Sequence, residues 1–336
     1  MKKVAINGFG RIGRLVLRLL DGDEALEVVA INTLSTPEEM AYLLKYDTNH
    51  RSYKVDSITC DEENVIVDGR KIRVFCEEDP KNIPWGDLDI DIVFECTGHF
   101  NDKEKAKAHL EAGAKKVVIS APATGNLKTI VYGVNHEILD SKDDIISAAS
   151  CTTNALAPAL DIIDKEYGIV KGFMSTVHAY TNDQATLDVS HKKSYKTRRG
   201  RACAMNIVPT TTGAAKAIGK VIPNLEGRFD GMAMRVPTAT GSVIDLVLEL
   251  KKNTSVEEIN QLFEVGKNDI VGFTMDPIVS SDVIGTLKAT VVDGMSTNVL
   301  DVDGKQIVKV VAWYDNEMGY TAQMVRTGRY LASLDD

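Results

Sequence analysis

The chain has 336 residues, of which 44% are hydrophobic and 26% charged; this predicts a globular protein of two domains and excludes disorder, collagen-like repeats and a disulfide-stapled miniprotein. Lys and Arg number 39 against 48 Asp and Glu, and the net charge of −9 argues against a general nucleic-acid-binding protein. No apolar run reaches the roughly 18 residues that cross a bilayer, and glycines near the N-terminus interrupt any signal-peptide core. Five cysteines without a CxxC pair favour the reducing cytoplasm and predict neither disulfides nor a metal site.

The first half of the chain alternates strands and helices, which predicts an α/β fold with a Rossmann-type parallel-sheet dinucleotide-binding domain. Two nearly continuous apolar runs are typical of strands buried on both faces. A capping box at Thr36 opens the second helix. We predict strands at 2–7, 27–32, 90–95, 116–119 and 144–148, and helices at 11–20, 37–44 and 103–112.

After Cys151 the pattern changes to long alternating runs, which predict an α+β catalytic domain with a mixed or antiparallel sheet. These runs are at 169–180, 228–236, 241–250 and 305–314. A helix precedes them, ending at Gly168, and Pro158 within it predicts a kink or a late start. We expect a dinucleotide-binding domain over 1–150 with the helical segment 317–336 packed back on it, and a catalytic domain over 151–316.

The first strand leads into the glycine-rich turn GFGRIG at residues 8–13, which opens a helix within a βαβ unit. Gly8 permits the tight turn, Gly10 permits close approach of a pyrophosphate, and Gly13 permits close packing of helix on strand. The helix N-terminus offers free N–H groups to the anion. This context favours NAD or NADP over a glycine-rich turn without a ligand.

The second strand lacks the carboxylate that usually follows the glycines by about 20 residues and binds the adenosine ribose. The residues there are Ile31, Asn32 and Thr33, and no arginine adjoins them. Thr33 does not repel a 2′-phosphate as an aspartate would. The sequence thus favours tolerance of NADP more than a requirement for it.

Cys151 lies between a strand and a helix, where N–H groups and a nearby protonated histidine would stabilise a thiolate. The alternating run 173–180 places Thr176, His178 and Tyr180 on one face of a strand. A single histidine on a strand is more often structural than catalytic. We interpret His178 as catalytic only because the chain also contains Cys151.

A basic run concentrates six cations within ten residues of an acidic chain, which indicates attraction of an anionic substrate, phosphate or coenzyme rather than RNA binding. Its members are Lys192, Lys193, Lys196, Arg198, Arg199 and Arg201.

Six sequence blocks resemble those of phosphorylating glyceraldehyde-3-phosphate dehydrogenases in order and spacing, over essentially the whole chain. They are NGFGRIGR (7–14), SCTTN (150–154), HAYTNDQ (178–184), PTTTGAAKA (209–217), MRVPT (234–238) and WYDNEMGY (313–320). The resemblance implies that Cys151 attacks the aldehyde, that His178 acts as base, and that hydride passes to the nicotinamide. Inorganic phosphate then attacks the resulting thioester. A related alternative, erythrose-4-phosphate dehydrogenase, would hydrolyse the thioester instead.

The resemblance also implies binding roles. Thr181 and Arg235 match the pocket for the substrate phosphate; Ser150, Thr152, Thr212 and Gly213 match the site for the attacking phosphate, with Arg199 reaching both. Asn316 matches the residue that holds the nicotinamide carboxamide. The remaining coenzyme contacts implied are Asn7, Gly8, Phe9, Gly10, Arg11, Ile12, Gly13, Asn32, Thr33, Thr97, Gly98, Ser120 and Ser190.

Three residues depart from the family pattern: Thr33 replaces an aspartate, Ser190 a proline, and Ala155 a second cysteine. The first two favour use of NADP at least alongside NAD. The family further implies a homotetramer acting on a triose phosphate and inorganic phosphate in the cytoplasm, with no membrane or nucleic-acid partner. A non-enzymatic role as a surface adhesin or nucleic-acid binder would be additional.

Overall fold

The computed structural model describes residues 1–191 and 194–334. It divides into two compact units: the first comprises residues 1–150 and the described residues from 321 onward, and the second residues 151–320. Lys192 and Lys193 of the basic run lie outside the described residues, as do the last two residues of the predicted segment 317–336. None of the helices described in these ranges is long and apolar enough to cross a membrane.

An eight-stranded sheet forms the centre of the first unit, in the order β3-β4-β5-β2-β1-β6-β7-β8. Its strands are β1 (Lys2–Asn7), β2 (Leu26–Asn32), β3 (Ile58–Cys60), β4 (Asn64–Val67), β5 (Arg70–Phe75), β6 (Ile92–Glu95), β7 (Lys116–Ile119) and β8 (Ile145–Ser147). Every neighbouring pair from β5 to β8 is parallel, which confirms the predicted Rossmann-type sheet. The short strands β3 and β4 extend it antiparallel.

Three helices follow strands of this sheet: α1 (Arg11–Leu20), α2 (Pro37–Lys45) and α3 (Lys103–Glu111). The predicted capping box is present at α2, where the Thr36 hydroxyl accepts from the Glu39 N–H and the Glu39 carboxylate accepts from the Thr36 N–H. The buried face of α1, including Leu15 and Val16, turns toward the core, because apolar residues recur at helical spacing.

The second unit begins with α4 (Cys151–Tyr167). This helix starts at Cys151 and continues through Pro158, so the late start predicted from the proline is wrong. Pro158 cannot donate to the carbonyl four residues earlier, but every residue from Thr152 to Leu160 is buried, and this packing outweighs the lost hydrogen bond.

A seven-stranded sheet follows in the order β10-β11-β9-β12-β15-β14-β13. Its strands are β9 (Ile169–Ala179), β10 (Val208–Thr211), β11 (Phe229–Val236), β12 (Ser242–Leu250), β13 (Val271–Thr274), β14 (Thr290–Val302) and β15 (Lys305–Tyr314). Among the described strands of this second sheet, the β9–β11 and β13–β14 pairs are parallel and the other pairs are antiparallel, so the sheet is mixed.

The remaining helices are α5 (Ala214–Val221), α6 (Val256–Gly266) and α7 (Met318–Ser333). From residue 321 onward α7 belongs to the first unit, where Met324, Val325 and Leu331 share a core with Val4 and Ile6. Short 3₁₀ turns occur at Pro80–Asn82, His136–Ile138, Tyr195–Thr197, Pro223–Leu225 and Ser280–Val283.

Candidate active site

Cys151 and His178 lie side by side in the second unit. The thiol is in the first residue of α4, and the imidazole is on β9, almost fully buried. Sγ of Cys151 is 3.4 Å from Nε2 of His178. The helix N-terminus therefore holds a nucleophile next to a base, which is the arrangement that nucleophilic catalysis requires.

The parallel pairing of β9 with β11 places Arg235 opposite His178. Nη1 of Arg235 lies 2.8 Å from Nδ1 of His178 and donates to the carbonyl oxygen of Ala179, also at 2.8 Å. The same carbonyl lies 2.7 Å from Nδ1. A carbonyl only accepts and a guanidinium only donates, so the two contacts of Nδ1 compete for opposite tautomers. In the tautomer whose Nδ1–H donates to the Ala179 carbonyl, the lone pair on Nε2 faces the thiol and Arg235 donates to the carbonyl alone.

Burial disfavours both the thiolate form of Cys151 and the imidazolium form of His178. Desolvation raises the pKa of the Cys151 thiol, while the Arg235 charge and hydrogen bonds from Thr152 oppose that shift. Desolvation, aided by the charge of Arg235, lowers the pKa of His178 to about 3. Transfer of the proton from Sγ to Nε2 would form the thiolate and the imidazolium side by side, where each charge offsets part of the desolvation of the other.

A buried hydroxyl cluster lies behind the pair, centred on Tyr314 at the end of β15. Its hydroxyl is 3.1 Å from the Thr152 hydroxyl and 2.8 Å from the Thr176 hydroxyl. The ring meets the His178 ring edge-on, with centroids 5.9 Å apart. Burial raises the pKa of Tyr314, so it remains a neutral donor. Sequence reasoning missed this residue, although it lies in the WYDNEMGY block.

The side chain of Asn316 has a fixed orientation. The Ala179 N–H donates to Oγ of Ser242, and that hydroxyl donates to Oδ1 of Asn316 at 2.8 Å. Because Oδ1 accepts, Nδ2 is the group that Asn316 can offer to a ligand. The amide is thus ordered for donation, as the carboxamide-binding role requires.

Two arginines converge near the pair. Arg235 lies 3.4 Å from the Thr181 hydroxyl, and its Nε is buried without a hydrogen-bond partner among the described residues. Arg199 forms an ion pair with Asp183 and donates to the Thr210 hydroxyl at 3.1 Å. The charge of Arg199 contributes to a lowered pKa of Arg235, after desolvation. Asp183 is a further site residue that the sequence did not single out.

The other residues predicted to bind phosphate lie close in sequence to residues of this site. Thr212 and Gly213 lie between β10 and α5, where the Thr212 hydroxyl accepts from the Ala214 N–H at 3.2 Å. Ser150 directly precedes the nucleophile at the end of the first unit. In the basic run, Arg201 pairs with Asp188.

In the first unit, the glycines form the cradle that a dinucleotide requires. Gly8 has a φ of +95°, and a Cβ there would lie 2.7 Å from the Thr97 nitrogen. A Cβ on Gly13 would lie 2.1 Å from the Gly8 oxygen, whereas one on Gly10 would meet nothing within 4 Å. The turn is therefore packed against other backbone at Gly8 and Gly13, and it leaves open space at Gly10. These residues fit a pyrophosphate at the N-terminus of α1.

The end of β6 holds a buried network around Glu95. Oε2 of Glu95 accepts from Asn7 Nδ2 at 2.6 Å and faces His109 Nε2 at 3.0 Å. Oε1 accepts from the N–H of Thr97 at 2.8 Å and from its hydroxyl. The indole of Trp85 donates to Nδ1 of His109 at 3.1 Å. Because an indole only donates, the proton of His109 is on Nε2 and points at Glu95.

The predicted coenzyme residues are only partly gathered into one cleft. Those that line it are Asn7, Gly8, Phe9, Gly10, Asn32, Thr33 and Thr97. Arg11 instead pairs with Asp47, and Ile12 packs against the core. Gly98 and Ser120 are not among the described residues that line the cleft, and Ser190 is exposed in a loop of the second unit. None of the described residues forms a metal-binding cluster.

Comparison with known proteins agrees with this geometry. Residues 2–103 match a family described as the NAD binding domain of glyceraldehyde 3-phosphate dehydrogenase, and residues 150–316 match its C-terminal domain. The chain is 54% identical to glyceraldehyde-3-phosphate dehydrogenase of Clostridium pasteurianum over 334 residues, covering 99% of each. It is 53% identical to that of Clostridium acetobutylicum, with 99% of each chain covered, and 52% identical to that of Streptococcus pyogenes, over 99% of this chain and 98% of the relative.

The fold and the matches define an oxidoreductase that uses a nicotinamide dinucleotide, NAD or NADP. Within that class, the chain belongs to the glyceraldehyde-3-phosphate dehydrogenase family. The resemblance drawn from the six sequence blocks is therefore confirmed.

Proposed function

We propose that this chain oxidises D-glyceraldehyde 3-phosphate reversibly to 1,3-bisphosphoglycerate, using NAD or NADP and inorganic phosphate. The observation that carries the proposal is the 3.4 Å approach of the Cys151 thiol to the His178 imidazole. It occurs in a chain that is 54% identical to a relative named for this activity. The alternative, erythrose-4-phosphate dehydrogenase, is not favoured by these matches.

In the proposed mechanism, Sγ of Cys151 attacks the aldehyde carbon while Nε2 of His178 takes the thiol proton. The resulting thiohemiacetal is oxidised to a thioester; the nicotinamide, when bound, supplies the hydride acceptor. The protonated His178 stabilises the oxyanion of the thiohemiacetal, and its neutral form receives the hydroxyl proton as the carbonyl re-forms. Inorganic phosphate then attacks the thioester and releases Cys151. Asn316 would hold the nicotinamide carboxamide through Nδ2, since its Oδ1 accepts from Ser242.

The substrate phosphate is assigned to Arg235 and Thr181. The unpartnered, buried Nε of Arg235 supports this role, because a buried guanidinium N–H without an acceptor calls for an anion. The attacking phosphate is assigned to Ser150, Thr152, Thr212 and Gly213, with Arg199 able to serve both. Two neighbouring guanidinium groups match two phosphates of the proposed product.

The coenzyme is assigned to the cleft of the first unit, with the glycine turn at 8–13 on its pyrophosphate. Asn7, Asn32, Thr33 and Thr97 line the same cleft and support this assignment. Gly98, Ser120 and Ser190 are retained as contacts implied by the family. We assign residues 1–150 with the terminal helix to coenzyme binding and residues 151–316 to catalysis.

A homotetramer is proposed for the assembly, and the cytoplasm for the location. Exposed apolar side chains on the second sheet, Phe173 and Val247 among them, support association of identical chains. All five cysteines are free thiols, which supports a reducing compartment.

Replacement of the nucleophile tests the proposal. Cys151→Ser should lower kcat with D-glyceraldehyde 3-phosphate, NAD and phosphate by at least about 10³-fold, since the thiolate is the attacking group. Cys203→Ser, which removes another free thiol of the same unit, is the matched control and should keep full activity. Without phosphate, the reaction should stop once each Cys151 has formed its thioester. Sustained turnover without phosphate, at a higher rate with D-erythrose 4-phosphate than with D-glyceraldehyde 3-phosphate, would contradict the proposal.

A further inference from the structure

The coenzyme cleft of the first unit is lined by acidic residues. The cleft encloses about 600 Å³, and among the described residues that line it are Glu77 and Glu78 but no lysine or arginine. Thr33, the residue that replaces the usual carboxylate, lines the same cleft. The negative charge missing from position 33 is therefore present nearby, contributed by another part of the chain.

The sheet topology explains why these carboxylates lie beside Thr33. Strands β2 and β5 are parallel neighbours, with Asn32 paired with Phe75. Both strands thus end at the same edge of the sheet, and the Thr33 N–H donates to the Phe75 carbonyl at 3.0 Å. Residues 77 and 78, which follow β5, reach the edge where dinucleotides bind in such sheets.

A buried asparagine fixes the position of this segment. Nδ2 of Asn32 donates to the Glu77 carbonyl oxygen at 2.9 Å, and the Glu77 N–H donates to Oδ1 of Asn32, also at 2.9 Å. The amide of Asn32 is only 4% exposed and donates further to Asn7. The two bonds hold the backbone of Glu77 against the end of β2, so the following residue is positioned at the cleft as well.

The charges of the two glutamates are not neutralised. Within residues 1–191 and 194–334, neither carboxylate has an ion pair or a side-chain hydrogen bond. Glu77 is half-buried and Glu78 is exposed. Each carboxylate is thus a free acceptor and a free negative charge toward whatever occupies the cleft.

We propose that Glu77 and Glu78 replace the missing carboxylate of position 33 and make this chain select NAD over NADP. Their oxygens accept hydrogen bonds from the ribose hydroxyls of NAD, and their charges repel the 2′-phosphate of NADP. This inference rests on the proposed coenzyme site and refines it. It differs from the expectation of NADP use drawn from Thr33 and Ser190, because those two residues do not reveal that the glutamates after β5 lie beside Thr33.

Coenzyme kinetics test the inference. With saturating D-glyceraldehyde 3-phosphate and phosphate, kcat/KM is measured with NAD and NADP for the wild type, Glu77→Gln, Glu78→Gln and the double variant. Glutamine keeps the size and removes the charge. The wild type should prefer NAD, and the NADP/NAD ratio should rise on the order of tenfold per charge removed. Glu104→Gln, an exposed glutamate of α3 outside the cleft, is the control and should keep the wild-type ratio.

Ionic strength and direct binding complete the test. If repulsion is the cause, added salt should raise the NADP/NAD ratio of the wild type and leave that of the double variant flat. Titration calorimetry with each coenzyme measures the same preference without turnover, so it separates this inference from the proposed reaction. Equal affinity of the wild type for both coenzymes, or an unchanged ratio in the double variant, overturns the inference even if the chain is fully active with NAD. Loss of NAD turnover with NAD-selective binding intact would count against the proposed reaction alone.

Discussion

The charge state of Cys151 is set first by its burial and then by its charged and hydrogen-bonding neighbours. The thiol loses hydration in the interior, and the Arg235 guanidinium together with local hydrogen bonds recovers part of that loss. Arg235 acts in the opposite sense on His178, whose pKa it lowers. One cation thus favours the thiolate and disfavours the imidazolium, while burial opposes both charges.

Removal of the imidazole should therefore shift the reactivity of the thiol. In His178→Asn, no imidazolium can form beside Sγ, so the pKa of Cys151 should rise and its alkylation should require higher pH. kcat should fall by about 10²- to 10⁴-fold, the usual contribution of a general base. Site-resolved mass spectrometry after iodoacetamide pulses at several pH values measures the shift, with Cys203 as an internal reference. An unchanged profile for Cys151 would show that the histidine does not influence the thiol.

At the scale of elements, the glycine turn after β1 is supported from the end of β6. Four donor groups converge on the Glu95 carboxylate: the Asn7 amide, the His109 ring, and the N–H and hydroxyl of Thr97. Both carboxylate oxygens are thus occupied by hydrogen bonds. Since Asn7 and Thr97 also line the coenzyme cleft, the network sets the distance between two of its walls.

Glu95→Gln should therefore weaken coenzyme binding more than catalysis. The new amide must point its NH₂ group at one pair of donors, which leaves buried donors unpaired at a cost of about 1–3 kcal/mol. We expect KM and Kd for NAD to rise about tenfold as the turn loosens, with kcat at saturating NAD nearly unchanged. Glu111→Gln, at the exposed end of α3, is the matched control. A lower melting temperature with unchanged Kd for NAD would mean that the network only stabilises the fold.

The sequence predicts elements and motifs well where a local pattern carries the information. The βαβ unit, the capping box at Thr36 and the thiol at a helix start all depend on residues close together in the chain. The places of Tyr314 beside Thr152 and of Glu78 in the same cleft as Thr33 could not be predicted in this way, because each depends on residues far away in the sequence. Of the two effects expected from Pro158, the late start is wrong for a similar reason: burial of the first turns of α4 is a tertiary effect that outweighs the proline.

At the scale of the whole molecule, the sheet of the second unit has one covered face and one open face. Met174 on β9 and Leu246 on β12 are buried, and they alternate with Phe173 and Val247, which are 69% and 39% exposed. Phe173 and Val247 are direct cross-strand partners, so the exposed apolar surface is continuous. The alternation of apolar and polar residues predicts strands with one buried and one exposed face. It does not reveal which element, or which copy of the chain, would cover the exposed face.

Disruption of this exposed face should reduce the number of chains in the oligomer. A lysine in Phe173→Lys would bring a charge into an interface between copies, where it would have to be desolvated. Light scattering should give four times the chain mass of 36.7 kDa for the wild type and a smaller multiple for the variant. Val265→Lys changes an exposed apolar residue of helix α6, outside the sheet, with 75% exposure, and serves as the comparison. If Phe173→Lys keeps the mass of the wild type, the open face is not part of the interface; if the wild type is itself a monomer, the proposed tetramer is wrong.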